Sequence, residues 1–242
     1  MAKLNTNSNA YTIIYACILV IIVAFLLAFV ASALKPTQDA NVALDKKKQI
    51  LASLNLRDLP DADVEATYAE VVKEELEDGT MKAVVEGEEK LIVPVKGAGL
   101  WGGLWGYISV NKDGKTVYGS YYNHESETAG LGARITEKWF QESFNGKTIF
   151  DEDGNVVLGV YKKDKAPKTL SPDSYVDAVT GATLTSNGVH DMIQKSFTEK
   201  KASIDAFKGG ESADGSKCCK DETDCCTAAI ECCDSTSTNN QN

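Results

Sequence analysis

The sequence predicts an α+β fold, with one apolar helix followed by a domain in which an antiparallel sheet packs with helices. Three patterns predict it: an uninterrupted apolar run near the N-terminus, several short β-like segments in the middle, and a longer helical pattern after them. The 242 residues are enough for one domain of ordinary size plus extra segments. The formal net charge of −10 argues against a nucleic-acid partner, which would need a basic surface.

The apolar run covers residues 11–34 and contains no charged side chain. A helix of this length can cross a bilayer core of ~30 Å, and Tyr11 and Tyr15 suit a membrane interface. The alternative is a cleaved signal peptide, because residues 31–33 have the small-x-small form of a cleavage site. A signal core has only about 7–15 residues, and Lys3 alone is charged before the run, so we predict a retained single-pass anchor.

The lysines around the anchor give a weak indication of its orientation. Lys3 precedes the run, whereas Lys35 and three lysines at 46–48 follow it. The positive-inside rule, taken alone, places the C-terminal domain in the cytoplasm. The lysines at 46–48 lie at the far edge of the window over which this rule applies.

A helical spacer is predicted between the anchor and the domain, over residues 35–79, with a short segment at 1–10 before the anchor. Apolar side chains recur at helical spacing over 39–54. Pro60 interrupts this pattern, and a second, Glu-rich helix is predicted over 61–78.

The domain is predicted over residues 80–208, and its first half has the pattern of short strands. The four strands are expected at 81–85, 90–95, 105–111 and 116–122. Residues 111–114 join the last two as a hairpin turn, because Gly114 can adopt a positive φ. The rest of the domain is expected to form a short helix at 136–144, a strand at 155–162 and a final helix at 185–207.

One segment before the final helix concentrates hydroxyl groups around two small residues, Gly181 and Ala182. Hydroxyls and free backbone N–H groups at a helix N-terminus form a natural phosphate site, and the small residues let another molecule approach the backbone. The simpler alternative is that Thr185 or Ser186 caps the helix and the rest forms a turn. The residues themselves leave both interpretations open.

The same segment resembles the target motif of flavin transferase, Asp-x-x-(Ser/Thr)-Gly-Ala-Thr. The matching positions are Asp177, Thr180, Gly181, Ala182 and Thr183. The resemblance implies that the Thr183 hydroxyl is joined to the phosphate of FMN through a phosphoester, with FAD as the donor. It implies a modification site and no catalytic nucleophile on this chain. Asp177 is expected to be recognised by the transferase or, alternatively, to accept backbone N–H bonds in the turn.

Two upstream segments extend the resemblance. A Gly/Trp cluster at 97–107 enters a strand, and residues 124–132 follow the hairpin. With the anchor and the attachment motif, they resemble the C subunit of the sodium-translocating NADH:quinone reductase, from the anchor to about residue 207. In that family the second segment usually contains Glu-Thr-Pro-Gly-Leu-Gly, and Ala129 replaces the proline here. The Gly130-Leu131-Gly132 backbone is retained, so flavin binding is still expected.

A flavin ring needs apolar or aromatic walls and a few polar groups at its edge. The remaining candidates for contact with FMN are Leu100, Trp101, Glu127, Thr128, Leu131, Gly132 and Leu184. Core packing is the alternative role of Trp101 and of Trp105. Neither His124 nor His190 has a neighbour at metal-ligand spacing, so no metal site is predicted.

The resemblance implies an electron relay in a multi-subunit complex with subunits of the A, B, D, E and F types. FMN would pass electrons from an iron–sulfur centre to another flavin, coupled to Na⁺ transport. NADH oxidation and ubiquinone reduction would occur on partner subunits, and the sequence has no GxGxxG after a strand. Covalent attachment suits a compartment where flavin cannot be resupplied, so the domain is expected in the periplasm, anchored in the bacterial inner membrane, against the lysine indication.

Two alternatives stay open. The flavin subunit of the ferredoxin:NAD oxidoreductase complex shares the anchor and the attachment motif. A different class of protein, a membrane-anchored metal or thiol binder, is suggested by six cysteines in the segment 209–242, arranged as CC-x5-CC-x5-CC. The composition of that segment predicts a disordered tail without the folding pattern of a zinc site.

Overall fold

The computed structural model describes residues 8–209. The expectations for residues 1–7 and for the cysteine-rich tail from 210 onward therefore lie outside the described part of the chain. The helices are α1 (Asn9–Ser53), α2 (Asp61–Val71), α3 (Lys138–Glu142), α4 (Thr183–Glu199) and α5 (Lys201–Gly209). The strands are β1 (Val72–Glu75), β2 (Met81–Val85), β3 (Glu88–Ala98), β4 (Gly103–Asn111), β5 (Val117–His124), β6 (Gly159–Tyr161) and β7 (Tyr175–Asp177).

Helix α1 is a single element of 45 residues that contains both the predicted anchor and the predicted amphipathic helix at 39–54. It continues through Pro36, although proline removes one backbone donor and crowds the preceding turn. Its N-terminal part is long and apolar enough to cross a membrane. Its last turn is buried against the domain, where Ile50, Leu51 and Leu54 form part of a hydrophobic core.

The second predicted helix, over 61–78, is correct only for its first part. Helix α2 ends at Val71, and the Glu-rich stretch that follows forms the edge strand β1. Val72 pairs with Ala83, and Glu74 pairs with Lys82 across the two strands, with a salt bridge between their side chains of 2.8 Å. Tertiary pairing thus overrides the helix preference of glutamate.

The five strands β1 to β5 form an antiparallel meander in which each strand pairs with its neighbours in the sequence. The four predicted strands are confirmed, with β3 longer than expected at both ends. The predicted turn closes through the N–H of Gly114, which bonds the carbonyl of Asn111 at 2.9 Å and has a φ of 65°. The α+β class is confirmed.

The two faces of the sheet carry separate cores because side chains alternate along each strand. On β3, Ile92 faces the end of α1, whereas Leu91 and Val93 face the opposite side. That opposite side packs against α4, whose buried residues include Val189, Met192, Ile193 and Phe197.

The second half of the domain differs most from the expectations. Only β6 forms within the predicted strand at 155–162, and it pairs in parallel with β7, which the sequence pattern did not predict. Val160 lies opposite Val176 in this two-stranded sheet. The final helix begins two residues earlier than predicted and is divided into α4 and α5.

Candidate functional site

Thr183 is the first residue of α4, and its side chain is exposed. The preceding residue, Ala182, occupies the N-cap position and makes no side-chain capping bond. The first intrahelical bond runs from the N–H of Ser186 to the carbonyl of Ala182, at 2.9 Å. The N–H groups of the first turn therefore have no intrahelical acceptor, and the positive end of the helix dipole lies beside the Thr183 hydroxyl.

The alternative in which Thr185 or Ser186 caps the helix is wrong. Both side chains are buried, and both make bonds to other segments. Ser186 Oγ accepts the N–H of Val179 at 3.1 Å, which fixes the turn before the helix. In that turn Gly181 has a φ of 82°, and an added Cβ would lie 3.0 Å from the side chain of Leu131. A glycine is needed there for both its conformation and its small size.

A small cleft of about 200 Å³ opens in front of this helix N-terminus. One wall consists of the first residues of α4 and the turn before it, and the other consists of two loops after β3 and β5. The lining residues are Leu100, Glu127, Thr128, Leu131, Gly132, Gly181, Ala182, Thr183, Leu184 and Thr185. Three segments that are distant in the sequence thus meet at one place.

The apolar side chains at this cleft are unusually exposed. Leu100 is 48% exposed, Leu131 44% and Leu184 60%, so a soluble domain would gain by covering them. Apolar walls next to a helix N-terminus have the chemistry that a flavin phosphate ester needs, since the ring is apolar and the phosphate is anionic.

Glu127 lies at the base of the cleft and is only 7% exposed. Its carboxylate accepts the hydroxyl of Thr185 at 2.6 Å and the backbone N–H of Trp101 at 2.9 Å. Burial raises the pKa of this carboxyl, but the bonds from Thr185 and from the backbone of Trp101 and Leu100 outweigh burial and hold the pKa below its ordinary value. The carboxylate is therefore ionised at neutral pH.

The loop that contains Ala129 keeps a tight turn without the proline of the related sequences. The carbonyl of Thr128 accepts the N–H groups of Leu131 and of Ala133, both at 3.1 Å. Gly130 has a φ of 76°, which only glycine adopts without strain. The replacement of proline by Ala129 leaves the turn closed.

Nine of the twelve residues proposed from the sequence line the cleft, and three do not. The exposed indole of Trp101 lies outside the lining, and only its backbone N–H takes part. Thr180 lies in the turn before α4 and is exposed. Asp177 ends β7 and faces a neighbouring groove that also contains Tyr175. Trp105 lies on the other face of the sheet, where its indole N–H bonds Gln49 at 3.2 Å.

Within residues 8–209 the carboxylate of Asp177 accepts no hydrogen bond. The structure therefore gives no support to the alternative in which it accepts backbone N–H groups of the turn, and recognition of Asp177 by the transferase stays a prediction. The sequence reasoning missed Thr185 as a site residue, because its bond to Glu127 joins positions 58 residues apart. No local pattern indicates such a contact.

The two histidines have structural roles. His124 Nδ1 accepts the N–H of Glu127 at 3.1 Å, and His190 Nδ1 accepts the N–H of Val160 at 3.2 Å. Among the described residues, no group of three or more His, Cys, Asp or Glu side chains could hold a metal ion.

Known proteins share this fold and this site region. A family model described as an FMN-binding domain matches residues 99–198. The C subunit of the Na(+)-translocating NADH-quinone reductase from Haemophilus ducreyi is 30% identical, over 81% of this chain and 93% of that protein. The corresponding protein from Pseudomonas aeruginosa is 29% identical, over 84% and 96%.

Two solved structures have a fold similar to that of this chain. The crystal structure of the C subunit from Parabacteroides distasonis superposes with a TM-score of 0.65 and is 34% identical, covering 71% of this chain and 96% of that one. Shewanella oneidensis NqrC is 19% identical with a TM-score of 0.55, over 67% of this chain and 97% of that one, which shows the shared fold.

The fold and the cleft define an FMN-binding domain that follows a long apolar helix. More narrowly, the chain belongs to the family of the C subunit of the Na(+)-translocating NADH-quinone reductase, a multi-subunit oxidoreductase. The resemblance noted in the sequence is thereby confirmed.

Proposed function

We propose that this chain carries FMN covalently on Thr183 and relays electrons within a sodium-pumping NADH:quinone reductase. The main support is the position of Thr183, whose exposed hydroxyl lies at the N-terminus of α4 and at the edge of a cleft with apolar walls. A phosphate ester there would be stabilised by the free N–H groups and by the helix dipole.

The attachment is a phosphoryl transfer with FAD as the donor. The Thr183 oxygen forms a bond to the phosphorus of the FMN half, the pyrophosphate bond of FAD breaks, AMP leaves, and the hydroxyl loses its proton. We propose that a flavin transferase catalyses this step and recognises Asp177 and Thr180, since both side chains are exposed beside the target. This chain supplies the acceptor and the cleft.

Once bound, FMN supplies the redox chemistry of this protein. We propose that Leu100, Leu131 and Leu184 cover the ring, that Thr128 and the backbone around Gly132 contact its polar edge, and that Gly181 and Ala182 let the phosphate approach the turn. Electrons would come from an iron–sulfur centre and go to another flavin on partner subunits, coupled to Na⁺ transport. NADH and quinone would react on those partners.

The attachment site is tested by coexpressing the full-length chain with flavin transferase and measuring intact mass and in-gel flavin fluorescence. Wild type is expected to gain the mass of one FMN less one water, and Thr183→Ala none. Thr183→Ser keeps the hydroxyl and should be labelled. Thr198→Ala, an exposed threonine on the same helix, is the matched control and should label as wild type. FMN that persists on Thr183→Ala would refute the site.

We propose that α1 anchors the chain in the bacterial inner membrane with the domain in the periplasm. The support is the length and apolar character of α1 together with the family. Alkaline phosphatase fused after residue 242 should be active, because it folds in the periplasm. Green fluorescent protein fused at the same position should not fluoresce, because it does not fold after export by the general secretory route. The reverse result would favour the lysine indication and place the domain in the cytoplasm.

Copurification distinguishes the proposed complex from the alternative, the ferredoxin:NAD oxidoreductase. An affinity-tagged chain should bring down subunits of a NADH:quinone reductase. Recovery of a protein with several ferredoxin-type clusters would instead support the alternative complex.

A further inference from the structure

A single carboxylate joins the three segments that form the flavin cleft. Glu127 lies in the loop after β5, Trp101 lies in the loop after β3, and Thr185 lies in the first turn of α4. One oxygen of Glu127 accepts the N–H of Trp101, and the other accepts the hydroxyl of Thr185. No other side chain in the lining bonds both walls of the cleft in the described part of the chain.

The backbone is packed closely around this carboxylate. A Cβ added to Gly99 would clash with one carboxylate oxygen, and one added to Gly132 would lie 2.5 Å from both the other oxygen and the Thr185 hydroxyl. Contacts this short would force the carboxylate or the Thr185 hydroxyl to move from its observed position. The two glycines, Glu127 and Thr185 therefore form one unit, which we call the carboxylate clamp.

The clamp determines where Thr183 points. Thr185 is two residues after Thr183 in the same helical turn, so fixing one side chain fixes the rotation of the turn and the direction of the other. Ala182 offers no capping side chain, and the bond from Val179 to Ser186 acts only within the same wall. The bond from Thr185 to Glu127 is a direct side-chain hydrogen bond from this turn to the opposite wall.

The clamp also places a charge at the cleft. Both oxygens of Glu127 are engaged, yet the side chain still lines the cleft, and no lysine or arginine lies among the lining residues. An ionised carboxylate next to a redox group opposes the addition of electrons to it, because like charges repel most strongly where water is excluded.

We propose that Glu127 is a positioning residue of the flavin site: through Thr185 it orients Thr183 for flavin transfer, and through its charge it lowers the midpoint potential of the FMN. The proposal rests on the proposed function, since it requires FMN at this cleft. It adds a role that the attachment motif does not contain, because neither Glu127 nor Thr185 belongs to that motif.

The orienting role is tested by the rate of flavin transfer. Purified full-length apoprotein in detergent is incubated with flavin transferase and FAD, and FMN attachment is followed by intact mass. Thr185→Val removes the hydroxyl but keeps a branched side chain, and it should load at least tenfold more slowly than wild type. Thr185→Ser retains the hydroxyl and should be loaded with FMN at a rate within about twofold of wild type. Wild-type loading of Thr185→Val would overturn the orienting role.

The charge is tested by the potential of the loaded protein. Glu127→Gln keeps the shape and the bond to the Trp101 backbone but removes the charge. The midpoint potential of its FMN is expected to rise by at least about 30 mV, which corresponds to a tenfold change in the two-electron reduction equilibrium. Glu125→Gln is the matched control, because this neighbouring carboxylate is exposed and bonds Gly103 outside the cleft. An unchanged potential in Glu127→Gln, or an equal shift in Glu125→Gln, would overturn the electrostatic role.

Two further measurements distinguish a folding failure, an incorrect attachment site and an incorrect role of the clamp. Thermal unfolding of each apoprotein identifies a variant that fails to fold, in which case the Thr185 pair decides the orienting role. Thr183→Ala is run beside them: flavin that stays attached there refutes the proposed attachment site. Loss of flavin in Thr183→Ala, with wild-type loading in Thr185→Val and a wild-type potential in Glu127→Gln, refutes the clamp alone.

Discussion

One face of the five-stranded sheet packs against the end of α1, and the other packs against α4 and the proposed flavin site. On the α1 side, polar bonds reach the backbone: Ser109 Oγ donates to the carbonyl of Ser53, and Asn55 donates to the carbonyl of Tyr118 at 2.9 Å. The α4 side contains the larger apolar core, and it also has polar bonds: Gln194 donates to the carbonyl of Leu158 at 2.9 Å, and Ser196 Oγ accepts the N–H of Lys96 at 3.4 Å. The α1 face thus combines a smaller apolar core with bonds to backbone carbonyls, whereas the α4 face has the larger core, and we propose that the carboxylate clamp fixes the first turn of α4.

The largest expected effect comes from the apolar face. Phe197 is fully buried and stacks edge-on against Phe150, with ring centroids 6.1 Å apart. Phe197→Ala should lower the free energy of unfolding by about 3–5 kcal/mol, because it leaves a cavity. Urea unfolding of the full-length chain in detergent measures this. Thr198→Ala, an exposed neighbour, should change stability by less than about 0.5 kcal/mol, and an equal loss in both variants would contradict close packing on this face.

A smaller effect is expected on the α1 face. A Cβ at Gly119 would clash with the backbone carbonyl of Ser53, which cannot move without displacing the end of α1. Gly119→Ala should cost about 1–3 kcal/mol in unfolding free energy. FMN attachment to Thr183 should persist, because the clash is on the face opposite the cleft.

Gly209→Ala is the control for that substitution, since an added Cβ there lies within 4 Å of no atom among residues 8–209. If Gly119→Ala abolishes flavin loading while the protein stays folded, the two faces are coupled more strongly than their separate cores indicate.

The smallest effect concerns the pH dependence of α4 packing. Burial lowers the pKa of His190, although Asp191 opposes this, and its neutral Nδ1 accepts the N–H of Val160. Above the ordinary histidine pKa of about 6.5 both folded and unfolded states are neutral, so the contribution to stability is complete. As pH falls below that value the unfolded state binds the proton first, and stability declines until the folded-state pKa is passed.

Melting temperatures of wild type and His190→Gln between pH 7.5 and pH 5 test this. The decline should be shallower in His190→Gln, which cannot titrate. Parallel curves would mean that His190 does not contribute to the pH dependence.

The sequence predicted the elements whose pattern is local. The apolar run of α1 and the alternation of β2 to β5 are properties of consecutive residues, and the structure confirms them. The edge strand β1 was mistaken for helix because its glutamates favour helix until Ala83 and Lys82 offer a pairing partner. The short parallel pair β6 and β7 has too few residues for a period to be visible.

The residues of the candidate site also fall into those that the sequence predicted and those that it did not. Leu100, Leu131 and Leu184 were predicted from resemblance and chemistry, and the structure brings them to one cleft. Trp101 is exposed and is not among the residues that line the cleft, which no spacing rule reveals. The bond between Thr185 and Glu127 depends on how two distant loops meet, so it becomes visible only in three dimensions.

The unbroken course of α1 has a consequence for assembly. Residues 35–43 are exposed and connect the apolar part of the helix to the part that packs on the sheet. In a continuous helix each added residue lengthens the connection by ~1.5 Å and turns everything beyond it by ~100° about the axis. The distance of the cleft from the apolar part of α1 and its orientation about the helix axis are therefore linked. One inserted residue would rotate the cleft by about 100° about that axis, whereas seven would restore its orientation about 10 Å farther from the apolar part.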